Sequence, residues 1–360
     1  MAERALVVGA GIMGLSAAWA LRRDGWDVEV IEPGPVPNPR GSSVDRHRLI
    51  RHTYGAERGY MRMVDDAYAA WAQVWEDIGE TLHVPTGVLA LAGPGIPWIA
   101  DTRRALAEDG RSFTGIAAAD LDSRFPFLAP TGEDALLVPA GGVLLADRIV
   151  AALGARSAIT PARVVAVHPE RAAVILDSGA ERSADLLVVA AGPWAPRLLP
   201  DLAPRVTPSR QVVVYVEPPA EFVAAWASAP MLLDLARGFY AVPPVAGTGL
   251  KVGDHTFSLE GDPDGDRTPR SGEVGAILER CSGRLADFGR YRVVESRVCF
   301  YDVSREERFV VEKLGPHAWV MSGFSGHGFK FGPCLGLALA RAVRDAAAAR
   351  ALPAWAAGRV

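Results

Sequence analysis

Two groups of residues in this chain have the types and spacing to do chemistry. The first is Gly9-Ala10-Gly11-Ile12-Met13-Gly14, followed by Glu32. In a G-x-G-x-x-G pattern, Gly9 permits a tight turn and Gly11 lets a pyrophosphate approach the backbone. Gly14 lets a helix pack on a strand, so that phosphates meet the positive end of that helix. A carboxylate at Glu32, closing the next strand, is positioned to accept a hydrogen bond from a ribose 2′-hydroxyl, which favours an adenosine ribose without a 2′-phosphate. The motif does not separate NAD from FAD. The second group is a set of cations. Lys and Arg together number 38, yet the lysines are Lys251, Lys313 and Lys330 alone. A lysine retained in such a chain points to a role for a compact ammonium, which the planar guanidinium does not replace. Arg48 and Arg51 stand three apart and would share a face if that stretch is helical, directly after the small-residue segment Arg40-Gly41-Ser42-Ser43. The cysteines Cys281, Cys299 and Cys334 are too few and too scattered for a disulfide framework or a metal knuckle, and no metal site is expected.

These residues need elements to hold them. Leu6 to Val8 and Val28 to Ile31 read as buried parallel strands, and Ile12 to Arg23 has helical spacing between them. The proline-rich stretch Pro33 to Pro39 is an extended loop. Met61 to Ile78 reads as an amphipathic helix whose aromatics (Tyr68, Trp71, Trp75) belong to the core. Strand-like pieces follow at His83-Val84, Val88 to Leu91 and Ala135 to Val138, with helices around Ile99 to Asp109 and Asp147 to Leu153. Val164 to Val167, Ala173 to Leu176 and the Gly179 turn make a β-meander. Leu186 to Ala190 returns to the buried-strand pattern and ends at Gly192-Pro193-Trp194, so the central sheet resumes there. From Gln211 to Val216 and Phe239 to Val252 the pattern alternates, as in an antiparallel sheet with one exposed face. Gly261 to Asp266 has the composition of a calcium loop, lacks the acid an EF-hand needs, and reads as a solvated turn. Trp319 to Met321 is a strand, Ser322 to Pro333 a glycine-rich turn, and Leu335 to Ala349 one alanine-rich helix. The fold class is therefore α/β with two domains. A Rossmann-like nucleotide-binding domain (1–84, 140–208 and 306–360) is interrupted by a discontinuous antiparallel-sheet substrate domain (85–139 and 209–305).

A length of 360 residues accommodates a large core and about two domains. A formal net charge of −4 offers no basic field for nucleic acid or anionic membrane, so neither is expected as a partner. The first strand begins almost at Met1, leaving no room for a cleavable leader, and no run reaches membrane-spanning length without a charge; a cytoplasmic location is expected.

Five segments in order carry a family resemblance. They are the dinucleotide fingerprint, Arg48-Leu49-Ile50-Arg51-His52-Thr53-Tyr54-Gly55, Gly192-Pro193-Trp194, Lys251-Val252-Gly253-Asp254-His255, and Cys299-Phe300-Tyr301 followed by Gly323 to Phe331 around Lys330. Together they resemble the monomeric sarcosine oxidase and N-methyltryptophan oxidase group of FAD-dependent amine oxidases, within the D-amino-acid oxidase superfamily. The resemblance implies FAD as cofactor, with Cys299 bonded through sulfur to the flavin 8α carbon; Arg292 and Arg297 are neighbours that would favour its thiolate. Lys251 matches the lysine held near flavin N5, where an ammonium stabilises charge developing on oxygen, and Arg48 matches an arginine on the same flavin face. Arg51 and Lys330 match the pair that binds the substrate carboxylate. Tyr240 matches a cavity-lining tyrosine, and His255 and Tyr301 match active-site positions, with His255 in a supporting role. Gly9, Ala10, Gly11, Ile12, Met13, Gly14, Glu32, Ser42, Ser43, Val164, Gly192, Trp194, Cys299 and Lys330 are carried over as cofactor contacts. The Gly326-His327-Gly328 amides are added to them as donors toward the flavin pyrimidine.

The chain also departs from that pattern. Val44 replaces an active-site histidine of the sarcosine-specific enzymes, and Asp254 replaces a tyrosine. The resemblance thus implies a flavoprotein oxidase of a secondary amine or amino acid, N-methyl or cyclic, using O2 and releasing hydrogen peroxide, and leaves the amine unnamed. A monomer is expected. The alternatives are a dehydrogenase with another electron acceptor, which Lys251 disfavours, and a tRNA-modifying flavin domain, which the acidic balance disfavours. A flavin-bearing subunit without turnover is opposed by the full set of matched residues.

Overall fold

The computed structural model describes residues 2–91, 93, 95–130 and 132–360. Strand β1 (Arg4–Val8) is buried from Ala5 onward and is flanked in parallel register by β2 (Asp27–Glu32) and by the strand Leu186–Val189. Continuous apolar runs are what strands covered on both faces require. The six-stranded sheet runs in the order Val310–Gly315, Ala318–Ser322, Leu186–Val189, β1, β2, Ala158–Pro161. Its neighbours are parallel except for the outer hairpin Val310–Gly315 with Ala318–Ser322. Helix α1 (Ile12–Arg23) is buried from Ile12 through Leu21. Taking Leu15 and Leu21 out of water contributes about 1.5–3 kcal/mol each. Gly9 has a φ of +102°, and a Cβ there would stand 2.5 Å from the Ala190 carbonyl oxygen; one at Gly14 would lie 1.9 Å from that of Gly9. The turn therefore closes only with glycine at both places.

The second large sheet has eight strands, in the order Arg292–Ser304, Val206–Glu217, Leu250–Asp254, Phe239–Val242, Met231–Asp234, Val88–Leu91, Ala135–Val138, Thr114–Ile116. The expected exposed face is absent. Gln211 through Val216, Phe239 through Val242 and Leu250 through Gly253 are buried at every position. One face, carrying Val212, Val214, Val252, Ala241 and Phe300, packs on Phe127, Trp226, Ile277 and Cys281. The other, carrying Val213, Lys251, Tyr240, Cys299 and Tyr301, lines a cavity inside the molecule. Alternation marks two environments here, and neither is bulk water.

Two further expectations are corrected. Residues 48–51 form a strand, β3 (Arg48–Arg51), antiparallel to Gly141–Leu144, and not a helix. Leu49 and Ile50 suit a pleated ladder, and Ile50 is fully buried in it. An odd spacing on a strand sends Arg48 and Arg51 to opposite sides, yet both reach the same cavity because the strand runs along its wall. The C-terminal segment is two helices, Gly332–Arg344 and Ala346–Ala356. Asp345 leaves helical geometry between them, and its carboxylate accepts hydrogen bonds from the Ala347 and Ala348 amides at 2.7 and 3.3 Å, a side-chain cap that starts the second helix. The long helix α2 (Arg58–Ile78) and the meander Val164–His168, Ala173–Leu176, Glu181–Ser183 are formed as expected. Among the described residues no helix is long and apolar enough to cross a membrane, and no group of three or more His, Cys, Asp or Glu is arranged to hold a metal.

Candidate active site

Two cavities adjoin where the sheets meet. The one of about 370 Å³ lies over the glycine turn and the larger, of about 860 Å³, over the second sheet. Arg48, Val44, Tyr301, Gly326 and Phe329 line both. The smaller is lined by Gly9 through Met13, Glu32, Ser42, Ser43, Val164, Gly192, Trp194, Gly326 and Gly328. Gly14 lines neither cavity, because it packs beneath the turn. Cys299, His327 and Lys330 line the larger one. The Ile12 amide donates to Ser43 Oγ at 2.9 Å, which ties the helix start to the Ser42-Ser43 segment. Glu32 is oriented by the turn it serves. Its Oε2 accepts from the Ala10 amide at 2.9 Å, and Oε1 accepts from the Gly34 amide at 3.1 Å and Asn38 Nδ2 at 2.7 Å. A carboxylate has about four acceptor positions, so one remains for a ribose hydroxyl. The glycine cradle, helix start and oriented acid fit the nucleotide half of FAD. Arg40, Arg163, Arg197 and Asp264 also line this cavity and were not anticipated. Within the turn at Gly261 to Asp266, Asp264 accepts from Trp194 Nε1 at 3.0 Å and pairs with Arg197 at 2.6 Å, so that turn is a wall of the cavity.

Into the larger cavity the second sheet presents Lys251, 2% exposed, and Cys299. Lys251 Nζ donates to Asp45 Oδ2 at 2.7 Å and to the His47 carbonyl at 3.0 Å. Arg48 Nη1 donates to the same Asp45 oxygen at 2.7 Å, and Arg48 Nη2 to the Ser42 and Val44 carbonyls at 2.7 and 3.1 Å. Tyr215 donates its hydroxyl proton to Asp45 Oδ1. Burial would raise the Asp45 carboxyl, but Lys251 and Arg48 hold it well below the usual carboxylate range. Sequence reasoning missed Asp45, which carries no motif of its own. Burial pushes the Cys299 thiol up, and the cations that oppose this are Arg48, Lys251 and Arg267. The expected helpers stand otherwise. Arg292 is exposed and paired with Glu217, while Arg297 pairs with Glu295.

Across the cavity lies a second cationic corner. Lys330, 3% exposed, donates to the Tyr54 hydroxyl at 2.9 Å and to the His327 carbonyl at 2.7 Å. Its own carbonyl accepts from Trp71 Nε1 at 2.8 Å, so a helix α2 aromatic assigned to the core also fixes the lysine backbone. Arg51 donates to the Thr53 carbonyl, and its guanidinium lies 4.7 Å from the centre of the Tyr54 ring. Burial lowers both cations, and for Lys330 the nearby Arg51 lowers it further. Among the described residues no carboxylate pairs with either. Tyr54 accepts from Lys330, so its own proton is free for His327 Nδ1 at 3.3 Å, and His327 Nε2 donates to the Glu307 carbonyl at 3.2 Å. That order of donors fixes the neutral tautomer of His327, whose pKa burial drives well below the histidine range. The His327 amide donates to the Phe324 carbonyl at 3.0 Å, which removes one of the three donors expected for the flavin.

His255 is exposed and faces the open cavity, and desolvation together with Arg51 and Lys330 lowers it to about 4, so it is neutral at working pH. Its ring lies 5.4 Å from that of Tyr240, whose phenol burial raises well above its ordinary value. The Tyr301 phenol is likewise raised by burial. Val44 and Asp254, the two departures, both line the larger cavity; Asp254 is 3.5 Å from Arg280 Nε.

This geometry agrees with three comparisons. The chain is 27% identical over 358 residues to the monomeric sarcosine oxidase of Bacillus sp. (strain B-0618), covering 93% of this chain and 90% of that protein. It is 30% identical over 352 residues to the peroxisomal sarcosine oxidase of Mus musculus, covering 92% and 90%. Among solved structures, L-proline dehydrogenase from P.horikoshii superposes with a TM-score of 0.82 at 18% identity, over 99% of this chain and 97% of that one. The model of the family described as FAD dependent oxidoreductase matches residues 4–342, and the chain belongs to that family.

Proposed function

We propose that the chain is an FAD-dependent oxidase of an amino acid bearing a secondary amine, N-methyl or cyclic, with O2 as electron acceptor. The observation that carries this reading is the pair of cations, half-buried Arg51 and buried Lys330, which share Tyr54 and have no carboxylate partner among the described residues. Such a corner is completed by an anion from outside. Arg51 offers a fork and Lys330 a point charge, a combination that grips a carboxylate and fixes the amine end of the molecule relative to the second sheet. When bound, FAD supplies the two-electron acceptor that takes hydride from the carbon beside the amine nitrogen and passes the electrons to oxygen, giving hydrogen peroxide, while water hydrolyses the imine.

The protein's own groups do the rest. Tyr240 and His255 line the cavity as uncharged groups and shape it around the amine end. Lys251 and Arg48 set fixed positive charge where negative charge develops on oxygen, which costs no reorganisation during the reaction. Cys299 lines the larger cavity two residues from Tyr301, which lines both, and its sulfur would hold FAD covalently through the 8α carbon. The relatives' designation as oxidases supports oxygen as acceptor. Membership of the two large sheets supports dividing the chain into an FAD-binding domain (1–84, 140–208, 306–360) and a catalytic domain (85–139, 209–305). The test is anaerobic addition of N-methyl and cyclic amino acids to the holoenzyme, followed by air. Loss of oxidised flavin absorbance and its return with peroxide release are expected. Reduction by amines lacking a carboxylate, with amino acids inert, would overturn the reading.

A further inference from the structure

The acid that no motif announced has a role that the fold makes specific. Asp45 lies between Ser42-Ser43 and strand β3 and is 4% exposed. Its two oxygens face Lys251 Nζ at 2.7 Å, Arg48 Nη1 at 2.7 Å and Arg297 Nη1 at 3.9 Å, and accept from the Tyr215 hydroxyl and the Arg46 amide. We infer that Asp45 is a positioning residue that keeps the buried Lys251 protonated and turns its ammonium toward the cavity. The oxygen part of the inference rests on the oxidase reading above; the protonation part does not.

Two observations carry it. The first is the count of acceptors. An ammonium has three protons to donate. Asp45, which lines the same cavity, takes one and the His47 carbonyl another, so the third has no acceptor among the described residues and is left for the open space that Lys251 lines. The second is charge. The titratable groups that face Lys251 are Asp45, His47, Arg48, Cys299, Tyr215, Tyr301 and Arg297. His47 is lowered to about 3 by burial and by Lys251, so its imidazole is neutral. The Cys299 thiol and both phenols are raised by burial and stay protonated. Asp45 is then the anion that pairs with both the desolvated Lys251 and Arg48, while Glu295 pairs with Arg297. Burial lowers the Lys251 pKa, and Asp45 is the principal influence against that. Lys330 is the internal contrast, equally buried and without an acid.

Asp45→Asn keeps the shape and removes the charge. The chain has three lysines, so holoenzyme labelled with 13C at lysine Cε gives three resonances, assigned with Lys313→Arg and Lys330→Met. In the wild type the Lys251 signal should hold its ammonium position through neutral pH; in Asp45→Asn its titration should move to lower pH, and Asp45→Glu should restore the wild-type behaviour. In stopped flow, reoxidation by oxygen should be flat with pH in the wild type. In Asp45→Asn it should match the wild type in acid and fall about tenfold per pH unit above the new pKa, down to the level of Lys251→Met. The double variant should show no pH dependence. A Lys251 signal that stays charged in Asp45→Asn, or is already neutral near pH 7 in the wild type, overturns the inference whether or not the protein oxidises amines. The wild-type titration and Asp45→Glu decide it even where Asp45→Asn does not fold. A titrating lysine with pH-flat reoxidation would keep the protonation role and overturn the part concerning oxygen.

Discussion

Lys330→Met gives a prediction with both a magnitude and a pH signature. In the free protein the Lys330 ammonium is 3% exposed, hydrogen-bonded to a neutral hydroxyl and a carbonyl, and repelled by Arg51. A bound carboxylate would supply the missing counter-charge in a desolvated corner. Removing one partner of such a pair costs about 2–5 kcal/mol, which is roughly 30-fold to a few thousandfold in Kd. Methionine keeps the length and apolar stem, so the loss should fall on carboxylate ligands and spare the corresponding decarboxylated amine. The pH dependence follows from the direction of the shift. Lys330 is lowered when free and raised again when the carboxylate binds, so binding takes up a proton. Below the free-form pKa the lysine is already charged and affinity is flat. Above it, affinity falls by up to about tenfold per pH unit until the pKa of the complex is reached. Titrating the flavin absorbance with a carboxylate ligand at several pH values reads both effects, and calorimetry in buffers of different ionisation enthalpy counts the proton. Equal losses for the acid and the amine, or a wild-type Kd that is flat with pH and takes up no proton, would refute the reasoning.

Three further outcomes are expected. Lys251→Met should slow reoxidation by oxygen by roughly two or more orders of magnitude, the scale of losing one preorganised charge, with anaerobic reduction changed much less; slow reduction with normal reoxidation would move Lys251 to substrate binding. After denaturation of the wild type, flavin should remain with the protein as a mass addition on the Cys299 peptide, and Cys299→Ser should release it; flavin left in the wild-type supernatant with an unmodified Cys299 peptide would remove the covalent link. Burial raises the Asp302 carboxyl to about 6 although it accepts from the Gly323 amide at 2.7 Å and from Ser322 Oγ at 3.2 Å. A raised folded pKa contributes stability that is complete below about pH 4 and lost as pH rises through about 6, so the unfolding free energy of the wild type should fall relative to Asp302→Asn over that window, by roughly 3 kcal/mol at most, as read by denaturant titration. A gap that does not change with pH would show that Asp302 is ionised throughout.

What was legible in the chain was local. Gly9, Gly14 and Glu32 announce the nucleotide turn because the chemistry and the backbone demand lie within one strand-turn-helix-strand unit. Lys251, Cys299 and Lys330 were found because each sits in a short segment with a matching pattern. Asp45 was not, since its partner Lys251 is 206 residues away and a lone acid between arginines reads as surface. The pair Arg48 and Arg51 fits a helix by spacing alone, and a four-residue stretch is too short for periodicity to decide; pairing with Gly141–Leu144 decides it. The break at Asp345 was hidden by alanine, the best helix former, on both sides, although an aspartate is a favoured cap. The buried second face of the large sheet could not be seen either, because a cavity wall and a solvated face write similar alternation.

That sheet has a consequence for how such a protein can change. Along Val206–Glu217, Val212 and Val214 point into the apolar packing, and Val213 between them points into the 860 Å³ cavity. Truncating Val212 or Val214 leaves a closed void, with the destabilisation that follows. Truncating Val213 only enlarges a space that is already open. Tyr240, flanked by Phe239 and Ala241 in the apolar packing, is intermediate, because it lines the cavity and is also part of a buried apolar cluster. A position on that face that lines the cavity outside the apolar clusters, as Val213 does, can therefore be redrawn to admit a different amine at little expense to folding, so that change there alters specificity before it reaches collapse of the structure.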